Sequence, residues 1–494
     1  MGSATHQLHV FFLPLMAHGH MIPAIDMARL FAARGLKVTI ITTPLNAPLF
    51  SNTIDRDRQL GIDISIRIIR FPSVEAGLPE GCELVNDVTS PEIAPNFFKA
   101  INMLQQPLQH LLEESLPDCV VADLFFPWMT DIAAKLGIPR LVFPGTSFFS
   151  ICVADSFDRY APHKKVTSDT EAFIVPGLPD QITMTRLQLQ DYLRAETPIQ
   201  FGKMMDQIAE SELRAYGVLV NSSYELEPAY AEHYKKIIGR KAWHIGPVSL
   251  CNRNAADKVE RGKIATIDEH DCLSWLDSKK PNSILYVCFG SISRFSAAQL
   301  LEIAMGLEAS GHSFIWVVRK ETSNGKNDEK QWLPEGFEER MEGKGLIIRG
   351  WAPQLLILEH EAIGGFVTHC GWNSTLEGMS AGVPMITWPI FAEQFYNEKL
   401  VTQVLKIGVE VGAQEWQDWN EWGEDSKVLV QRDEIKEAVT RLMDGGEEAE
   451  QMRIRARELG EKARRAVEDG GSSYTDLTAV IEDLRLYRSL KQAT

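Results

Sequence analysis

Short apolar runs rich in Val, Ile and Phe recur along this chain, and they lack the apolar–polar alternation of a half-buried strand. The first half carries them at Leu8–Leu15, Lys37–Thr43, Ile64–Phe71, Cys119–Phe125, Arg140–Pro144 and Val218–Asn221. The second half carries them at Ile284–Phe289, Phe314–Arg319, Leu346–Arg349, Gly365–His369 and Met385–Pro389. A strand that is apolar on both faces needs cover on both, which a parallel sheet flanked by helices provides. The intervening stretches, such as Pro23–Arg34 and Ala297–Ser310, show helical spacing. Strand–helix alternation with right-handed crossovers builds an open α/β sheet.

A single core stops growing near about 250–300 residues, and this chain has 494. Two α/β units of similar size, facing each other across a cleft, are therefore expected. Polar residues replace the apolar runs after Ile245-Gly-Pro-Val. This places a first domain at 1–248, a linker at 249–266, a second domain at 267–475, and a C-terminal helix at 476–494 packing back on the first domain. The polar stretches 321–331 and 418–427 read as surface loops. Ligands of open α/β sheets bind beyond the carboxyl ends of the strands, so strand ends are where chemistry is sought.

A net charge of −17 disfavours nucleic acid and anionic membrane surfaces as partners. Seven cysteines without regular spacing, several inside apolar runs, read as buried thiols of a reducing compartment. The first apolar run, Val10 to Met16, is short and interrupted by Pro14. Neither a signal peptide nor a membrane anchor is expected there, which makes the location cytoplasmic and the Asn221-Ser-Ser tripeptide idle.

The densest signal runs from Trp351 to Gln394. A strand at Gly365–His369 meets Gly371, and Trp372-Asn-Ser-Thr then opens a helix with small polar residues placed to cap or line its first turn. Such a junction presents backbone amides and the positive end of a helix dipole, an anion site. His369 stands ahead of it as a further donor. Glu377 follows Asn373 by four residues and Ser374 by three, so it lies on their face one turn later. An acid there suits the hydroxyls of a ribose, and Trp351 offers a flat face to a base.

Chemistry on a hydroxyl needs a base, and histidine is the usual choice. The first strand ends in Pro14-Leu-Met-Ala-His-Gly-His-Met-Ile-Pro, where the glycine bend places His20 at the start of the next helix. Asp123 closes the apolar run Cys119-Val-Val-Ala-Asp, a position with no packing reason for a charge, and it fits as the group that orients the imidazole. His18 reads as a neighbouring loop residue.

The Trp351–Gln394 segment resembles the donor box of plant family 1 UDP-glycosyltransferases nearly without a break, above all in the run HCGWNSxxE. This resemblance implies two Rossmann-like domains of the GT-B type and a UDP-glycosyltransferase activity. It also implies that Trp351 stacks on uracil beside Gln354, that His369, Asn373 and Ser374 hold the diphosphate, and that Glu377 takes the ribose. Trp372, Glu393 and Gln394 would face the sugar, and a terminal glutamine goes with UDP-glucose. Gly290-Ser291 is similar to the family's loop near the phosphates, and Thr146 to its threonine near the sugar. GHxxP with a strand-end aspartate matches the family's catalytic pair, His20 aligning three residues before Pro23. Base and leaving group on opposite sides imply inversion at the anomeric carbon.

No metal is expected, because no Asp-x-Asp or clustered His/Asp spacing is present. No permanently bound cofactor is expected either, only UDP-glucose as co-substrate, and the chain is expected to act as a monomer. The runs PLMAHGHMIPAIDMA and PSVEAGLPEGCE resemble the group that glucosylates flavonoids, other phenolics and triterpenoids, with a flavonoid or related phenolic as first choice of acceptor. Phe125, Phe126, Phe148 and Phe149 follow strand ends and suit an apolar acceptor slot or, at least as well for any one of them, ordinary core packing. A nicotinamide oxidoreductase is disfavoured, since the first turn reads HGHMIP in place of GxGxxG. No GxSxG elbow marks a serine hydrolase. A non-catalytic nucleotide-sugar-binding module would not need His20 and Asp123.

Overall fold

The structure is a computed structural model that describes residues 7–88, 90–197, 199–319, 332–418 and 428–493. The expected loop at 321–331, and that at 418–427 apart from Asp418, lie outside the described residues. Along the chain the strands are β1 (His9–Leu13), β2 (Lys37–Thr42), β3 (Ile64–Ile68), β4 (Cys119–Asp123), β5 (Arg140–Phe143), β6 (Phe173–Val175), β7 (Ile182–Met184), β8 (Gly217–Val220), β9 (Ala242–His244), β10 (Ile284–Cys288), β11 (Ser313–Val318), β12 (Gly345–Arg349), β13 (Ile363–Thr368), β14 (Met385–Thr387) and β15 (Gly408–Glu410).

These strands serve two units. The first comprises 1–148, 196–262 and 464–494, and the second comprises 149–195 and 263–463. The sheet of the first unit runs β3-β2-β1-β4-β5-β8-β9, and its paired neighbours are parallel. The sheet of the second runs β12-β11-β10-β13-β14-β15, again parallel. The order is doubly wound in both, reversing between β1 and β4 in one and between β10 and β13 in the other. Each reversal opens a crevice at the carboxyl ends of the strands, where ligands of such sheets bind.

The non-alternating runs are buried as their pattern requires. Val10, Phe12, Val38, Ile40, Val121 and Leu141 pack with Met27 and Phe31 of the His18–Ala33 helix. Leu477, Val480, Ile481 and Leu484 of the C-terminal Ser472–Ala493 helix complete that core. Each such side chain removed from water is worth roughly 1.5–3 kcal/mol. In the second unit Val287, Trp316, Val367, Ile386 and Trp388 form the centre, under the helices Ala297–Ser310 and Arg432–Met443. Those two helices meet at Gly306, where an added Cβ would lie 2.8 Å from Ile435.

Three features differ from the sequence expectation. The first helix starts at His18, five residues before Pro23, because the Ala17 carbonyl already collects the amides of His20 (2.9 Å) and Met21 (2.8 Å). His18 is thus a helical residue, buried, with Nδ1 2.8 Å from Asn86 Oδ1. The boundaries also fall elsewhere. Residues 249–262 group with the first unit, because Arg29 binds Asp57, Asp257 and Asn252 while Arg261 binds Asp26. Residues 149–195, with the β6–β7 hairpin, group with the second unit. Finally, β6, β7, β9 and β15 are three-residue strands, too short to carry a periodic signal.

Candidate active site

In the first unit the crevice between β1 and β4 holds an imidazole and a carboxylate. His20 sits in the first turn of its helix, and Asp123 is the last residue of β4. His20 Nδ1 lies 2.7 Å from Asp123 Oδ2, with side-chain exposures of 25% and 0%. Asp123 Oδ1 accepts the amide of Phe125 at 3.1 Å. A buried carboxylate held by a backbone amide has one oxygen left to fix the imidazole, which leaves Nε2 as the nitrogen that can take a proton.

Two neighbours shape this pair. Gly145, following β5 with φ +71°, lies so close that a Cβ there would be 3.2 Å from His20 Cε1. Arg140 is buried at the start of β5 and donates to the backbone carbonyl of Asp123 at 3.0 Å. Its guanidinium also donates to Thr130 Oγ1 (2.6 Å) and Ser211 Oγ (2.8 Å). Desolvation pushes its pKa down to about 10, so it keeps its charge at neutral pH. Thr146 brings a buried Oγ1 without a protein partner to the same strand end.

In the second unit the crevice between β10 and β13 holds His369. Its ring is wedged between two glycines: a Cβ on Gly290 would come within 2.6 Å of His369 Cε1, and one on Gly371 within 2.4 Å of Nε2. Burial pushes the pKa of His369 down to about 4, so this ring is neutral at physiological pH. A neutral imidazole has one nitrogen that donates and one that accepts. Ser291, which follows Gly290, is partly buried. Cys370 then takes a left-handed turn (φ +62°), and the Trp372–Ala381 helix begins. Gly371 is the N-cap and makes no side-chain cap, so of the two roles open to the small polar residues, capping or lining the first turn, capping does not occur. A glycine N-cap leaves first-turn amides for a ligand.

The polar side chains of this helix are already ordered. Gln354, first residue of the Gln354–Leu358 helix, donates from Nε2 to Glu377 Oε2 at 2.7 Å and to Ser374 Oγ at 3.2 Å. Tyr286 donates to Gln354 Oε1 at 3.4 Å. Trp351 follows β12 and is partly exposed, as is Asn373, whereas Trp372 is only 2% exposed. Gln394 accepts the amides of Ile390 (2.9 Å) and Phe391 (3.0 Å) on its carboxamide oxygen, so its NH2 is the group it offers. Glu393 accepts from Asn397 Nδ2 at 3.2 Å. Trp351, Gln354, His369, Trp372, Asn373, Ser374, Glu377, Glu393, Gln394 and Ser291 all belong to the second unit, and His20, Asp123 and Thr146 to the first.

Of the four phenylalanines, Phe125 alone stays partly exposed, 5.8 Å from the His20 ring. Phe126, Phe148 and Phe149 are core: Phe126 packs on Trp128, and Phe148 on Tyr234 and His244. Sequence reasoning passed over Arg140, Tyr286 and Asn397. The first lies at a strand start and the second within an apolar run, so no spacing flags them, but Asn397 stands four residues after Glu393 on one helix face.

Comparison with solved structures first defines the class. The chain superposes on crystalline Glycyrrhiza uralensis UGT73P12, complexed with glycyrrhetinic acid 3-O-monoglucuronide, with a TM-score of 0.91 and 46% identity, covering 99% of this chain and 98% of that one. It superposes on Phytolacca americana UGT2, complexed with UDP-2fluoro-glucose and pterostilbene, with a TM-score of 0.75 and 27% identity over 97% and 99% of the chains. The architecture is the GT-B type of glycosyltransferases. The model for UDP-glucoronosyl and UDP-glucosyl transferase matches residues 95–422, and the chain belongs to that family of UDP-glycosyltransferases. Scopoletin glucosyltransferase of Nicotiana tabacum is 57% identical over 98% of this chain and 99% of its own length. UDP-glucose flavonoid 3-O-glucosyltransferase 7 of Fragaria ananassa is 56% identical over 97% of each.

Proposed function

We propose that the protein transfers glucose from UDP-glucose to a hydroxyl of a flavonoid or related phenolic, with inversion at the anomeric carbon. The observation that carries the chemistry is the 2.7 Å contact between His20 Nδ1 and Asp123 Oδ2. Nε2 of His20 takes the acceptor's hydroxyl proton while that oxygen bonds to the anomeric carbon. The bond from that carbon to the β-phosphate oxygen breaks, and UDP leaves with the electron pair. Asp123 stabilises the imidazolium that forms.

The donor rests on the second unit. Trp351 stacks on the base, Gln354 and Glu377 meet the base and ribose, and His369, Asn373, Ser374 and Ser291 hold the diphosphate with the first-turn amides. These donors are fixed before charge develops on UDP, which is the source of their effect. Trp372, Glu393, Gln394 and Thr146 face the sugar. The glucose and phenolic assignments draw on the relatives from Nicotiana and Fragaria. A triterpenoid acceptor is the second reading, favoured by the glycyrrhetinic acid glucuronide in the 46% identical structure. Among the described residues all seven cysteines are free thiols, and no helix is long and apolar enough to cross a membrane. We place the enzyme in the cytoplasm as a monomer.

The test is incubation with UDP-glucose and a panel of flavonoids, coumarins and triterpenoids, read by mass spectrometry. A gain of one hexose on phenolics, and an α-to-β change at the anomeric centre by NMR, is expected. Transfer confined to triterpenoids would shift the acceptor class, and absence of transfer to any of them would sink the reading.

A further inference from the structure

Two side chains and a backbone carbonyl of the second unit converge on one buried amide. Asn397 is 0% exposed, and its carboxamide makes three hydrogen bonds. Its Nδ2 donates to the backbone carbonyl of Cys370 at 2.9 Å and to Glu393 Oε1 at 3.2 Å. Its Oδ1 accepts from Ser150 Oγ at 2.8 Å. The amide can sit only this way round: turned over, its oxygen would face a carbonyl and a carboxylate, both acceptors.

These contacts join two pieces of the donor site that are far apart in sequence. Cys370 occupies the left-handed turn between His369 and the Trp372–Ala381 helix, a conformation that costs a non-glycine residue on the order of 1 kcal/mol. Glu393 is one helical turn before Asn397. We infer that Asn397 is a positioning residue for donor-sugar recognition: it sets the Glu393 carboxylate against the phosphate-binding turn, so that sugar and diphosphate are held in register. The inference rests on the reading of Glu393 and Gln394 as sugar-facing. Gln394, tied to the 390–391 amides, fixes the other side of the same loop.

The role separates affinity for the nucleotide from affinity for the sugar. Asn397→Asp keeps the size but places a carboxylate against Glu393 and the Cys370 carbonyl. Its KM for UDP-glucose is expected to rise about 10-fold or more, whereas UDP binding by calorimetry changes less than about 3-fold, as loss of hydrogen bonds to a charged group implies. Preference for UDP-glucose over UDP-galactose should narrow as well. Asn397→Ala and Glu393→Ala should be non-additive in a double-mutant cycle on KM. Ser150→Ala, which leaves the Asn397 side chain in place, should raise KM about 2- to 5-fold while the melting temperature falls by only a few degrees, and it decides the matter if the Asn397 variants do not fold. Equal losses of UDP and UDP-glucose affinity, additivity with Glu393→Ala, or an unchanged KM in the variants that fold would overturn the proposal. Failure of the unmodified enzyme to bind UDP-glucose would instead remove the underlying donor reading.

Discussion

The two sheets reverse their strand order in the same way, and each reversal holds one histidine beside a glycine with positive φ, yet the two imidazoles differ. His20 has a carboxylate at 2.7 Å and one face toward solvent. His369 has a desolvated ring, a pKa near 4, and glycines in van der Waals contact where His20 has Asp123. A carboxylate partner favours the imidazolium, whereas burial without one favours the neutral ring. The two reversals therefore carry their histidines on opposite sides: a carboxylate-paired imidazole after β1 in one unit, and a desolvated imidazole after β13, the counterpart of β4, in the other. What distinguishes them is the strand across each crevice: β4, beside His20, ends in Asp123, whereas β10, beside the strand that leads to His369, ends in Cys288.

Breaking the first member of the pair should have the largest effect. His20→Ala removes the base and should lower kcat by about 10³-fold, within the range for general-base catalysis, while UDP affinity by calorimetry stays within about 3-fold. Loss of UDP binding would undo the division of roles. Asp123→Asn keeps the shape but not the charge, and kcat should fall about 10²-fold. A kcat equal to that of the unmodified enzyme would show the carboxylate to be structural.

Changes to the second member should act on binding instead of turnover. His369→Ala should weaken UDP about 10-fold by loss of a hydrogen bond to an anion, with the pH profile of kcat unchanged; a shifted profile would give His369 a part in proton transfer. The smallest effect is on stability. Since the pKa of His369 in the folded state lies below the ordinary 6.5, the unfolded chain takes up the proton first as pH falls. The folded state is therefore favoured above pH 6.5 and loses ground between 6.5 and 4, by at most about 3 kcal/mol. His369→Gln should flatten that limb in urea melts at pH 7 and pH 4.5.

The architecture was legible because buried parallel strands leave apolar runs that nothing in the chain interrupts. His20 and Asp123 were legible for a related reason: each is a polar residue where an apolar run stops. The grouping of Gln354, Ser374 and Glu377 could be read because turn, helix start and acid are close in sequence, so spacing stands in for geometry. Asn397 escaped this logic. Its partners Cys370 and Ser150 are 27 and 247 residues away, and only the folded chain brings them together. For Phe126, Phe148 and Phe149 the sequence left pocket and core open, because aromatic side chains after a strand suit both, and the fold puts all three in the core. The helix at His18 began early because backbone amides, which carry no sequence signature, found the Ala17 carbonyl.

The polypeptide passes from one unit to the other four times, after residues 148, 195, 262 and 463. A protein engineer who cuts once near the middle would strip the Ser472–Ala493 helix from β9 and bare Leu477, Val480, Ile481 and Leu484 to water. The other fragment would lose the β6–β7 hairpin and Ser150. Recombination with a relative of altered sugar preference has to exchange 149–195 together with 263–463, and leave the last thirty or so residues with their original host.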